Sequence, residues 1–351
     1  MNKTLKNFYI ISIIFLMAIL VGCNSHDIDG NKVYYVSWNE GSGKNKTLIH
    51  DADAETFKEL EHSDYAIDKN NVYYEAGKLK DADPKTFVSI LDYYGKDNRF
   101  AYYGGEKISE ADGKTFIVID GGPYSKDKKD YYYNTTSLKV SDLRTFKILN
   151  QESSFGDWAK DKNFYYLSEK KHPLADYKSF EILGNGYAKD KIRVYFEDSV
   201  VVNADPITFK SIDYAYGQDK NARFDGRKKL NIKDPNSFQI LNFGFTKDKF
   251  HVYKNDSIIK NADSKTFEII DWEWEKDKST CYHKGKPMLN VDSKTFQTLQ
   301  NNYSKDNNKV YYYENVVKGA DPKSFKVDDL TYIGKDKSGC YQDGMKVKKI
   351  K

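Results

Sequence analysis

The sequence predicts a mainly β repeat protein: stacked short β-hairpins with one helical turn per ~29-residue unit, in an open solenoid or superhelix, with a β-propeller as the alternative. Three observations carry this. An Asp recurs with aromatic residues at fixed offsets, a second motif recurs at a fixed distance from it, and the composition suits short strands joined by tight turns. Internal periodicity of this kind marks units that cannot bury an apolar face alone and must stack on their neighbours.

The first motif centres on Asp68, Asp97, Asp127, Asp161, Asp190, Asp219, Asp248, Asp277, Asp306 and Asp336. Five residues after each stands an aromatic, a Tyr from Tyr73 to Tyr341 except for Phe224. Three residues before stand Tyr65, Tyr94, Tyr124, Trp158, Tyr187, Tyr216, Phe245, Trp274 and Tyr303, with Ile333 in the last copy. An earlier copy begins at Asp29. The polar Lys-Asp-Lys segment reads as the turn of a hairpin, because an Asp side chain bonds its own backbone two residues on. A second turn follows, then a short strand bearing Leu79, Ile108, Leu138, Val201, Leu230, Ile259, Met288 or Val317.

The second motif is Asp-x-x-Ser/Thr-Phe, found ten times from Asp53–Phe57 to Asp321–Phe325. It reads as a capped helical turn: the Asp carboxylate accepts the backbone N–H groups that a helix start leaves unpaired. Pro84, Pro206, Pro235 and Pro322 follow their Asp, the position where Pro is welcome. A calcium-binding reading is weak, since each site offers one carboxylate beside a Lys-rich stretch where calcium needs six to eight oxygens. From the hairpin Asp to the Phe is 19 residues in all nine units between Asp68 and Phe325; from the Phe to the next Asp is 10, 11 or, once, 15. Length variation therefore belongs to a surface loop. The long case runs through Gln151 to Asp157 and is the expected place for a specific contact.

The Phe column is expected to be dry core. The Tyr column is expected to be half-buried, its hydroxyl in water or bonded to the next repeat, because a buried Tyr needs a partner and a Phe does not. Evenly repeated aromatics more often pack between repeats; the alternative is an exposed aromatic ladder for glycans, for which Trp158, Tyr187, Tyr216 and Trp274 are the candidate contact surface.

Residues 1–22 read as a secretory signal peptide: Lys3 and Lys6, then an apolar run from Phe8 to Leu20, too short to span a bilayer comfortably. The run ends in Leu20-Val21-Gly22-Cys23, which resembles the lipobox of bacterial lipoproteins. That resemblance implies acylation of Cys23 and residence in the cell envelope: outer membrane in a Gram-negative host, otherwise the outer face of the cell membrane. A short tether over residues 23–28 then leads into the repeat array over 29–351. The array ends in Lys346, Lys348, Lys349 and Lys351, a polar end suited to capping.

The Asp68-Lys69-Asn70-Asn71-Val72-Tyr73-Tyr74 and Asp306-Asn307-Asn308-Lys309-Val310-Tyr311-Tyr312 runs resemble the DKNYY family. The copies at Asp219 and Asp277 depart from the pattern, with Arg223-Phe224-Asp225 and Cys281-Tyr282-His283. The resemblance implies a bacterial protein, often exported, and supplies no catalytic residues.

The chain has 56 basic and 52 acidic residues in alternation, a net charge of +4, and no basic stripe of the kind nucleic acid requires. Cys281 and Cys340 read as small buried hydrophobes and free thiols. His26, His50, His62, His172, His251 and His283 share no repeat position and no metal spacing. No phosphate loop or nucleophile elbow is present. The expectation is a non-catalytic, membrane-anchored scaffold with no cofactor that binds a protein or envelope polymer. A carbohydrate-binding module and an envelope hydrolase on a propeller are the alternatives.

Overall fold

The computed structural model describes residues 25–347, apart from 62, 92, 150–155 and 175. The expected signal peptide over residues 1–22, Cys23 and most of the long loop from Gln151 lie outside the described residues. Contacts divide the chain into two compact units between Lys178 and Ser179.

In the first unit, β1 (His26–Asp29), β2 (Lys32–Asn39) and β3 (Gly43–Leu48) form a three-stranded sheet. A four-stranded antiparallel meander follows: β4 (Lys58–Glu59), β5 (Tyr65–Ile67), β6 (Val72–Tyr74) and β7 (Gly77–Lys78). That meander recurs with each hairpin Asp, giving ten four-stranded sheets over the two units among the described residues. Among the described residues no strand pairs from one sheet to another, so these sheets close no barrel. Within each unit the architecture is that of a β-rich repeat solenoid.

Each unit therefore has four strands where the sequence predicts two or three. The extra strand is the segment of two to four residues after the Phe, as Lys58–Glu59, where Lys58 pairs with Ile67, or Val88–Leu91. The variable loop joins this strand to the next, so insertions there leave the ladder intact. The Asp-x-x-Ser/Thr-Phe motif is a single turn, closed by bonds such as Thr56 N–H to Asp53 O at 3.2 Å and Phe209 N–H to Asp205 O at 3.0 Å. It tightens into a 3-10 turn at Pro235–Ser237, where Pro235 follows its capping Asp234.

The core lies between successive sheets. Tyr65, Val72, Leu79 and Phe87 come from one repeat and Tyr102 from the next. Tyr94, Ala101, Ile108 and Phe116 likewise enclose Tyr132. In the second unit, Phe245, Val252, Ile259 and Phe267 enclose Tyr282. Each hairpin thus presents the residue four after its Asp forward and the Tyr five after its Asp backward. The period-two alternation of a strand buries both faces. Eight of the ten motif Phe side chains are buried, from Phe87 to Phe325, with Phe57 and Phe238 half-buried.

The residue paired across the hairpin from the backward Tyr is small because the preceding Phe ring fills that space. A Cβ at Gly95 would stand 2.4 Å from Phe87, and one at Gly217 would stand 2.3 Å from Phe209. Cys281 packs with Trp274, Met288 and Phe296. Both described cysteines are free, and burial pushes the Cys281 thiol up to about 12.

Candidate functional site: the loop edge

The two sequence motifs are halves of one clasp. In every hairpin one carboxylate oxygen of the Asp accepts the N–H groups two and three residues on, as Asp248 does from Phe250 and His251, both at 2.7 Å. In nine of them the other oxygen accepts the N–H of the capped turn before it, as Asp248 does from Asp234 N at 2.9 Å. In seven units this oxygen accepts the Tyr hydroxyl five residues on, as Tyr253 at 2.9 Å.

The capped turn reciprocates. Its Ser or Thr hydroxyl accepts the N–H of the residue after the hairpin Asp, as Ser237 Oγ does from Lys249 N at 2.9 Å. The Lys following the hairpin Asp pairs with the capping Asp, as Lys249 with Asp234 at 2.9 Å and Lys278 with Asp263 at 2.6 Å.

Burial opposes charge on Asp68, Asp248, Asp277 and Asp306, yet the donors outweigh it and hold each carboxyl below the usual carboxylate range. In Asp161 the same balance, with Ser141 the foremost donor, takes the carboxyl down to about 2. The Tyr column is therefore fully buried and bonded mainly within its own hairpin, not half-buried and reaching into water. Every repeated Asp, Ser/Thr and Lys is engaged in folding, and these columns leave no free group for chemistry.

The earlier aromatic column makes the link between repeats. Tyr65 donates to Tyr93 O at 2.9 Å, and Tyr94 donates to Pro123 O at 2.9 Å. Tyr187 donates to Ala215 O and Gly226 O at 2.7 and 2.8 Å. These acceptors sit in the first and third turns of the following meander, which an antiparallel meander places at one edge. Bonds such as Gly226 N–H to Ala215 O tie the two turns together.

This role decides the fate of the expected ladder. Trp158, Tyr187 and Trp274 are buried and Tyr216 is half-buried, so these rings are packing elements and form no exposed contact surface. Repeat spacing reveals a column without saying which face it occupies.

The same loop edge carries a different set of exposed aromatics. Tyr93 in the first unit is 55% exposed, and it lines an apolar groove of about 330 Å3 with Leu91, Tyr103 and Gly121–Pro123. Tyr214, Phe243 and Trp272 stand at the first-turn tips of three successive sheets in the second unit, 66%, 54% and 61% exposed. Their signal in the sequence is faint. The position is Asn185 or Asn301 in other copies, and it lies in the loop whose length varies.

Other features are engaged elsewhere. A larger groove of about 770 Å3 beside Phe209 holds Lys189, Lys210, Lys220 and Arg223. Lys220 pairs with Asp205, Lys189 with Glu181, and Arg223 bonds two backbone carbonyls. His26 pairs with Glu59 at 2.9 Å and His283 with Glu314 at 3.2 Å. Among the described residues, no three His, Cys, Asp or Glu side chains converge to hold a metal ion.

One buried group breaks the pattern. Glu275 occupies the small-residue position held elsewhere by Ala66, Gly95, Ser125 or Ser304, and it is fully buried. Its Oε2 accepts Gly285 N–H at 2.9 Å, while Oε1 has no partner. Burial pushes its carboxyl up to about 7. Because the folded value lies above the unfolded one, stability falls as pH rises from the ordinary Glu range through about 7. Glu275→Ser is expected to raise the thermal midpoint at pH 8 and change it little at pH 4.5. The upper bound of the gain is roughly 3 kcal/mol. Equal shifts at both pH values would exclude ionisation as the cause.

The DKNYY family profile matches residues 26–155, 94–228 and 225–345, three overlapping spans that cover almost the whole described array. The chain belongs to the DKNYY family. The clasp gives the recurring DKNYY run a physical meaning: the Asp is the hub, its neighbour reaches the capping Asp, and a Tyr hydroxyl closes the set. Comparison with curated proteins and with solved structures finds no match.

Proposed function

We propose that this chain is an exported, lipid-anchored, non-catalytic repeat scaffold that binds a protein or envelope polymer through its loop edge. One observation carries the binding half. The repeated residues are consumed by the clasp and core, while the most exposed aromatics of the four-stranded sheets, which differ from copy to copy, stand at the first-turn tips: Tyr93, Tyr214, Phe243, Trp272 and Tyr332. Binding residues concentrate on loops held by a rigid frame. The anchoring half rests on the lipobox-like Leu20-Val21-Gly22-Cys23 after a charged and apolar leader. No helix among the described residues is long and apolar enough to cross a membrane.

Anchoring is tested by expressing the chain and its Cys23→Ser variant with a radiolabelled fatty acid. The proposal expects label and membrane fractionation for the parent chain and neither for the variant. An unlabelled parent chain would remove the anchor.

A further inference from the structure

We propose that the tips bearing Tyr214, Phe243 and Trp272 bind a linear, uncharged, equatorially linked polysaccharide. The inference rests on the scaffold reading and names the polymer it takes.

The placement is regular. Each ring stands five residues before its hairpin Asp, in the copies of Asp219, Asp248 and Asp277. Sheets packed face to face lie about 10 Å apart, so successive tips advance along the edge by about that step. A row of rings at a fixed rise suits a polymer with a repeating unit.

The backbone at two tips is unfavourable for the residues it carries. Tyr214 has φ 46° and Phe243 φ 57°, the left-handed region that bulky residues rarely enter. Asn185 and Asn301 hold the same position at φ 50° and 53°, where Asn is at ease. Folding alone would favour Asn at both tips. Strain held in place to expose a large ring points to a use for the ring.

The chemistry of each tip is paired. Asp213 precedes Tyr214, Asn242 precedes Phe243, and Asp271 precedes Trp272. Asp213 Oδ1 accepts Tyr214 N–H at 2.8 Å, and Asp271 Oδ1 accepts Glu273 and Trp274 N–H at 2.9 and 3.0 Å, which holds each carboxylate beside its ring with the second oxygen left for a ligand. A flat apolar face beside a carboxylate or amide is what an equatorially substituted sugar ring needs: C–H bonds on one side and hydroxyls around the rim. Lys284 Nζ sits 4.9 Å from the Trp272 ring centroid and is held by Glu273 at 2.8 Å, which braces that ring. Asp213, Asn242 and Asp271 stand next to the rings in the chain, whereas the centre of a protein interface is depleted of charge. Asp256 and Glu273 are paired with Lys228 and Lys284, so Asp213 and Asp271 are the acids left beside the rings, and they disfavour an anionic polymer.

The test uses the purified full chain with cellohexaose and N-acetylated chitohexaose, followed by Trp fluorescence and calorimetry. At least one saccharide is expected to bind and shift the emission. Trp272→Ala is expected to weaken binding tenfold or more. The Tyr214→Asn and Phe243→Asn double variant is expected to weaken binding as well while keeping or raising the thermal midpoint, because Asn fits those backbones. Lost binding in that variant therefore cannot be lost folding. No binding of either saccharide at millimolar concentration would overturn the proposal, as would binding that survives all three substitutions. Fatty-acid labelling of the same preparation separates the two readings: labelled protein that ignores both saccharides keeps the anchored scaffold and removes the polysaccharide.

Discussion

Asp248→Ala is expected to be among the most destabilising single substitutions in the array, lowering the unfolding free energy by about 4 kcal/mol or more. The carboxylate satisfies Phe250 N–H, His251 N–H, Asp234 N–H and the Tyr253 hydroxyl at once. Leaving a buried donor without an acceptor costs about 1–3 kcal/mol each, so four together exceed any single contact in the unit. Asp248→Asn is expected to recover only part of the loss, since its NH2 group faces donors. Lys249→Ala is the useful contrast. It removes the ion pair to Asp234, but Lys249 is largely exposed, and such pairs contribute about 1 kcal/mol or less. Denaturant titrations of the three variants check the order. An Asp248→Ala midpoint no lower than that of Lys249→Ala would reassign the repeated Asp to another role.

Acid is expected to unfold the array steeply, because it discharges many hubs together. The folded carboxyls of Asp68, Asp161, Asp248, Asp277 and Asp306 lie below their unfolded values. A depressed acid contributes stability that is fully present above its unfolded value and is lost as pH falls through the folded one. The loss therefore begins near the ordinary Asp range, about pH 4, and runs towards about pH 2. Thermal midpoints followed by circular dichroism from pH 6 down to pH 2 check this. The Glu275 carboxyl moves the opposite way, so Glu275→Ser should leave the acid limb unchanged. A midpoint flat down to pH 2 would mean that the hubs do not carry this stability.

The spacing of the motifs made the repeat legible, since an invariant 19-residue interval can only be a packed or paired segment. The capping Asp was equally readable, because its acceptors lie two and three residues away. The clasp was not. Ser237 Oγ receives the N–H of Lys249, twelve residues on, and a backbone donor leaves no mark on residue identity. The first strand of each meander was hidden for a different reason: Lys58–Glu59 is too short to show alternation. Trp274 looked like a surface ring because amphipathic aromatics occur in both settings, and only the sheet behind it shows that it is buried. The tips at Tyr214 and Phe243 were obscured because their position holds Asn, Tyr, Phe or Trp from copy to copy between Asn185 and Asn301, so no constant column marks it.

Hydrogen exchange on the parent chain and on Asp248→Ala tests the central claim most directly, that the hub joins a hairpin to the capped turn before it. The clasp predicts that protection falls in two separate segments together, 234–238 and 248–253, while the sheet of Tyr65–Ile67 and Val72–Tyr74 in the first unit keeps its protection. Loss confined to 248–253, with 234–238 still protected, would contradict it.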